Sequence, residues 1–181
     1  MRDTAGPRRG SALWLTMTAL LTAMNIVLSL QPFSIPIPLF QGHFYFCDVI
    51  IYVAALLLDP FAAFVVGGVG AFLGDLISYP AAMLVSLAAH GLQGAAASCL
   101  ARRKWGKNEI GPAILGVCAG GVLMVIGYTL GRAYVYATPA YAIGKLPFEI
   151  LQAALGGTLA IILCYPLRLK ETFHRLTHGA L

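Results

Sequence analysis

Six stretches of this chain are too apolar to be stable in water, and together they leave little of it over. The hydrocarbon core of a bilayer is about 30 Å thick, so a helix crosses it with about 20 apolar residues. Four stretches reach that length, at residues 11–30, 81–100, 110–130 and 148–167. Residues 61–77 stand at the short limit, and residues 47–58 reach it when 44–46 join the same helix. Lipid offers the backbone no hydrogen bonds, so such segments span as helices. The pattern predicts an all-α polytopic membrane bundle of six transmembrane helices, 11–30, 44–58, 61–77, 81–100, 110–130 and 148–167, in a single integral membrane domain covering 1–181.

Composition supports lipid as the solvent. The chain is 59% hydrophobic and 10% charged, against about a quarter charged in soluble domains. The net charge of +5 is a matter of topology. Arg2, Arg8 and Arg9 precede helix 1; Arg102, Arg103, Lys104 and Lys107 lie between helices 4 and 5; Arg168, Lys170 and Arg175 follow helix 6. Six crossings place these three groups on one side, which the positive-inside rule makes cytoplasmic, with both termini. The basic excess is thereby used up, and nucleic acid is not an expected partner. Arg8-Arg9-Gly10 ahead of an apolar run imitates a signal peptide. The run is too long and no small-x-small cleavage site follows before Gln31-Pro32, so helix 1 reads as retained in a multi-pass protein of a prokaryotic plasma membrane.

Catalytic and metal chemistry find little footing. There is no G-x-x-x-x-G-K-[ST] loop, no H-E-x-x-H and no Ser/His/Asp arrangement, and the carboxylates fall on separate helices. Neither a cofactor nor a metal is expected, and the chain does not itself hydrolyse ATP. Cys47, Cys99, Cys118 and Cys164 sit in or beside apolar blocks without a C-x-x-C, and read as buried small apolar side chains.

Asp59-Pro60 reads as a tight turn, its aspartate capping helix 3 and its proline at the first helical position. Ser78-Tyr79-Pro80 is the outer turn between helices 3 and 4. Two longer outer connections remain, 31–46 with Pro32, Pro36, Pro38, Phe33, Phe40, Phe44, Tyr45 and Phe46, and 131–147 with Tyr134, Tyr136 and Tyr141. They read either as an interfacial aromatic belt or as two flaps closing over a ligand. Their length favours flaps, because helix connections in a bundle are short.

The segment 46–103 resembles the substrate-binding S component of energy-coupling factor (ECF) transporters, in the riboflavin-transporter-like branch. The matching features are Asp48 opening helix 2, Asp59-Pro60, the glycines Gly67, Gly68, Gly70 and Gly74 before Asp75, the Tyr79-Pro80 turn, and His90-Gly91 with Gly94 in helix 4. Ser78 and His90 stand where that branch has glycine and lysine. Ala19-Leu20-Leu21-Thr22-Ala23 is similar to the alanine motif by which S components dock on their membrane partner, which makes Ala19 and Ala23 docking residues. The resemblance implies a six-helix cup, formed by the outer halves of helices 4 to 6 with the loop after helix 1 as lid. It also implies a transmembrane coupling subunit and two cytoplasmic ATPase subunits as partners.

The polar residues inside the bundle are the candidate site. His90, near the middle of helix 4, is either satisfied by neighbouring helices or a hydrogen-bonding group at the floor of a pocket, with Gln93 one turn on. Glu149 and Gln152 share a face three apart. Glu149 also suits a helix N-terminus after Pro147. Arg132 and Lys145 are either snorkelling anchors or partners for an acidic ligand group, Glu149 or Asp75. Asp48 is expected to cap helix 2, and Asp75 needs a partner or a ligand. With Tyr79 and Phe44 these residues form the expected substrate-binding set. Such a mixture suits a compact flat heterocycle stacked on aromatic rings, pyridoxine-, pyrimidine- or riboflavin-like. Two other classes stay open: a stand-alone secondary transporter, for which no inverted repeat is visible, and an intramembrane enzyme or scaffold.

Overall fold

The computed structural model describes residues 7–30, 33–37, 42–103 and 109–178. Arg2, Gln31, Pro32, Pro38, Phe40, Lys104 and Lys107 of the sequence reading lie outside the described residues. The architecture is nearly all helical. Helix α1 spans Ala12–Leu28, α2 Cys47–Leu57, α3 Pro60–Ser78, α4 Pro80–Ala101, α5 Ile110–Tyr136 and α6 Pro139–Cys164. An antiparallel hairpin, β1 (Ser34–Ile37) and β2 (Gly42–Tyr45), joins α1 to α2. A final helix α7 covers Leu169–His178. Helices α3 to α6 are long and apolar enough to cross a membrane, and α1 and α2 are shorter apolar helices.

Helix α2 is the centre of the bundle. Ten of its eleven residues are buried, packed against α1, α3, α4 and α6. A helix wrapped by protein on every side does not have to match the bilayer by itself, which is why eleven residues suffice. It begins at Cys47 rather than at 44, because Phe44 and Tyr45 pair with Ile35 and Ser34 in the hairpin ladder. Its last turn is closed from α4, where the Ser98 hydroxyl donates to the Leu58 carbonyl at 2.8 Å.

The start of α3 follows the expected chemistry. The Asp59 carboxylate accepts from the backbone N–H of Phe61 at 3.0 Å and of Ala62 at 3.4 Å, with Pro60 at the first helical position. Asp59 also accepts from the Trp14 indole N–H, and Trp14 stacks on Phe61, which ties α1 to α3 at the arginine-rich end. Within α3, Val65–Val69 form a single π turn. Asn25 of α1 reaches into it, its amide donating to the Val66 carbonyl at 2.6 Å. Replacing Asn25 by alanine is expected to cost about 1 kcal/mol in detergent unfolding. The loss stays small because the Asn25 Oδ1 has no partner among the described residues and its burial is relieved.

Small residues let α3, α4 and α5 approach closely, as membrane helices require. A Cβ on Gly67 would lie 2.4 Å from the His90 carbonyl oxygen, and one on Gly94 2.5 Å from that of Ala63. Cys47 and Cys164 are buried as expected, whereas Cys99 and Cys118 lie on the outer surface of the bundle.

The second outer connection is not a flap. Helix α5 continues to Tyr136, its last turn widened into a π turn at Arg132–Tyr136. Helix α6 starts at Pro139 rather than at 148, leaving Pro147 inside it. Thr138 and Pro139 supply what a helix start needs: the Thr138 hydroxyl accepts from the Tyr141 N–H at 3.3 Å, and proline takes the first turn. Pro147 ranks below this cap as a boundary, because membrane helices tolerate an interior proline.

Candidate functional site

At the end of the bundle opposite Arg8, Arg9, Arg102 and Arg103, a cavity of about 390 Å³ opens between α3, α4, α5, α6 and strand β2. Five tyrosines line it: Tyr45 from β2, Tyr79 after α3, Tyr128 and Tyr136 from α5, and Tyr141 from α6. Their rings supply flat apolar walls, with Tyr79 edge-on to Tyr136 at 5.9 Å between centroids. Between them stand Asp75, His90, Arg132, Lys145, Glu149 and Gln152. A second, larger space of about 770 Å³ lies between the outer faces of α5 and α6. Its walls are mostly aliphatic, with Tyr52 and Thr158 the polar exceptions, so it offers a polar ligand little to hold.

The charged groups come as a pair. Arg132 and Glu149, each more than nine-tenths buried, form an ion pair between α5 and α6. The widened turn at the end of α5 carries Arg132 into the cavity, and its guanidinium lies over the Tyr128 ring, 5.1 Å from the centroid. The pair is incomplete: Arg132 Nη1 and Glu149 Oε2 have no hydrogen-bond partner among the described residues. Lys145 is also buried at the cavity wall.

Of the alternatives open for Asp75, Arg132 goes to Glu149 instead: the Ser86 hydroxyl donates to Asp75, and Tyr128 donates to Ser86 at 2.6 Å. His90 presents its ring to the cavity, edge-on to Tyr128 at 5.1 Å. Its Nδ1 lies 2.6 Å from Gln93 Oε1. Gln93 is itself fully buried beneath the floor and donates to Asp48 Oδ1 at 2.5 Å. Gln152 donates to Asp48 Oδ2 at 2.6 Å and accepts from the Tyr45 backbone N–H at 3.0 Å. Burial pushes the Tyr45 phenol up to about 12, with the charge of Asp75 adding to it, so the hydroxyl keeps its proton.

Most of the expected set therefore converges: Asp75, Tyr79, His90, Arg132, Lys145, Glu149 and Gln152 line one cavity, and Gln93 supports it from below. Phe44 does not line it; its ring lies edge-on to Phe46 at 5.7 Å. Asp48 is not the cap of α2: that position is Phe46, and the Asp48 carboxylate serves the two glutamines. Tyr128 and Ser86 were missed, because one polar group in an apolar helix gives no indication of which face is wet. Ala19 and Ala23 lie exposed on the outer face of α1. Among the described residues no group of three or more His, Cys, Asp or Glu could hold a metal ion.

Comparisons with known proteins agree with this architecture. A family model for the S component of ECF-type riboflavin transporters matches residues 11–169. An uncharacterised protein from the gap 3′ region of Pyrococcus woesei is 36% identical over 133 residues, 71% of this chain and 87% of that protein. The thiamine precursor transporter HmpT of Lactococcus lactis is 35% identical over 151 residues, 82% of this chain and 84% of that protein. A solved structure of the S component of a bacterial ECF transporter superposes with a TM-score of 0.72 at 21% identity, over 86% of this chain and 95% of that one. From its matching family model and its helices, this chain is a multi-pass membrane protein that belongs to the ECF-type riboflavin transporter S-component family.

Proposed function

We propose that the chain is the substrate-capturing subunit of an ECF-type importer. It binds a small vitamin-related heterocycle from outside and delivers it inward together with a transmembrane coupling subunit and two cytoplasmic ATPases. The observation that carries this reading is the tyrosine-walled cavity of about 390 Å³, placed at the end of the bundle away from the arginines. By the positive-inside rule the arginine-rich end, with both termini, faces the cytoplasm, so the cavity mouth faces out. Ligand pockets of about 300–1,000 Å³ suit small organic molecules, with a few polar groups fixing orientation among apolar walls. Here Tyr79 and its aromatic neighbours stack the ring, while His90, Arg132, Lys145, Glu149 and Gln152 read its polar edge. The unsatisfied N–H of Arg132 and oxygen of Glu149 give that edge adjacent donor and acceptor partners. Among the expected ligands a single-ring pyrimidine is favoured, in line with the relative that carries a thiamine precursor. Pyridoxine and riboflavin are the alternatives to exclude.

Calorimetry on the purified protein, without ATP, is the test. Nanomolar-class binding of an aminopyrimidine, pyridoxine or riboflavin is expected, together with co-purification of the coupling module. Absence of both would end the proposal. The docking half is tested separately: Ala19→Trp and Ala23→Trp place a large ring on the exposed face of α1. They are expected to abolish co-purification with the coupling subunit while leaving ligand affinity within about twofold. Undisturbed assembly would remove α1 from the interface.

A further inference from the structure

Asp48 lines no part of the cavity, yet it is fully buried and both of its oxygens are engaged. A carboxylate can only accept hydrogen bonds. The amide that gives its NH₂ to Asp48 must turn its carbonyl oxygen the other way. For Gln152 that oxygen meets the backbone N–H of Tyr45 on strand β2. For Gln93 it meets His90 Nδ1 at 2.6 Å. Gln93 Oε1 carries no proton, so Nδ1 must carry one. In the neutral imidazole the other nitrogen, Nε2, is then a lone-pair acceptor, on a ring that lines the cavity.

We infer that Asp48 is a positioning residue that sets the hydrogen-bond polarity of the cavity. Through Gln93 it holds the neutral His90 ring as the Nδ1–H tautomer, and to that form of the ring the ligand offers an N–H or O–H donor at Nε2. An amino- or hydroxyl-bearing heterocycle meets that requirement; a bare ring nitrogen or a carbonyl opposite Nε2 does not. Through Gln152 the same carboxylate holds strand β2 at the cavity edge. The ligand requirement rests on the cavity being the substrate site, whereas the tautomer does not.

Histidine-selective ¹⁵N NMR of the full-length protein in detergent, at mildly alkaline pH, reads the tautomer without any ligand, and His90→Asn assigns the signal. Wild type is expected to show a protonated Nδ1 and a bare Nε2. Asp48→Asn, whose amide accepts either glutamine orientation, is expected to give a tautomer mixture. The Asp48→Leu/Gln93→Met double variant, which removes the link and also the carboxylate that lies 3.9 Å from His90 Nδ1, is expected to do the same and covers the case in which Asp48→Asn does not fold. A protonated Nε2 in wild type overturns the inference, as does an unchanged Nδ1–H signal in Asp48→Asn or in the double variant. A second arm compares a 4-aminopyrimidine with its 4-methyl isostere. Wild type is expected to prefer the amino form at least about tenfold, a difference of about 1.4 kcal/mol, and Asp48→Asn to lose most of that preference. Equal binding of both by wild type overturns the donor requirement. Failure of either to bind, with the expected tautomer present, counts against the substrate reading and leaves the role of Asp48 standing.

Discussion

Arg132→Met is expected to destabilise the protein by about 3 kcal/mol, because it takes from the buried Glu149 carboxylate its ion-pair partner and leaves it only Lys145, one turn away on α6. The Arg132→Met/Glu149→Leu double variant is expected to recover most of that loss, since an apolar replacement of a buried ion pair is often neutral or stabilising. Ligand binding should not recover with it. Both variants are expected to bind on the order of 100-fold more weakly than wild type, as the polar edge of the cavity is gone in each. Denaturant unfolding in detergent and calorimetry on the same preparations separate the two effects. A single variant as stable as wild type would show that Lys145 or solvent compensates Glu149 once Arg132 is gone. A double variant with wild-type affinity would remove the pair from the ligand's surroundings.

Gly67→Ala has the next largest expected effect. The new methyl would lie 2.4 Å from the His90 carbonyl oxygen and 3.1 Å from Ile51 Cγ2. The carbonyl belongs to the backbone of α4 and cannot rotate away, so α3 and α4 must separate. Overpacking of this kind costs about 1–3 kcal/mol. Because His90 moves with its own backbone, ligand affinity should fall at least about tenfold, a larger loss than a stability change alone produces in a protein still folded. Thermal unfolding and ligand titration of Gly67→Ala check both halves. Wild-type behaviour in the two measurements would mean that α3 and α4 are less closely packed.

The bundle was legible in the sequence because hydropathy reports the solvent of each segment directly. The helix ends were not. Residues 44–46 are as apolar as the helix they precede, and only strand pairing with β1 removes Phe44 and Tyr45 from it. Pro147 looks like a helix start, but Thr138-Pro139 carries the stronger local signal, because a capping hydroxyl and a proline coincide there. Seven of the nine expected substrate contacts reach one cavity, because ionisable groups in lipid must face a partner or a space. Their pairing was open: Arg132 could meet either Asp75 or Glu149 until the π turn at the end of α5 placed it over Tyr128. Asp48 was misread because an acid in a first turn is ordinarily a cap. Gly156 allows α6 to come within reach of it: a Cβ there would lie 2.5 Å from the Asp48 Cβ.

Since α2 meets protein on all sides, its height is registered against α1, α3, α4 and α6 and not against lipid headgroups. Thinning or thickening of the bilayer acts only on the outer helices, which answer by tilting at a small energetic cost. Asp48 and the two amides it orients would ride with the bundle as one unit. The protein can lean within its membrane while the geometry around the tyrosine-walled cavity stays constant.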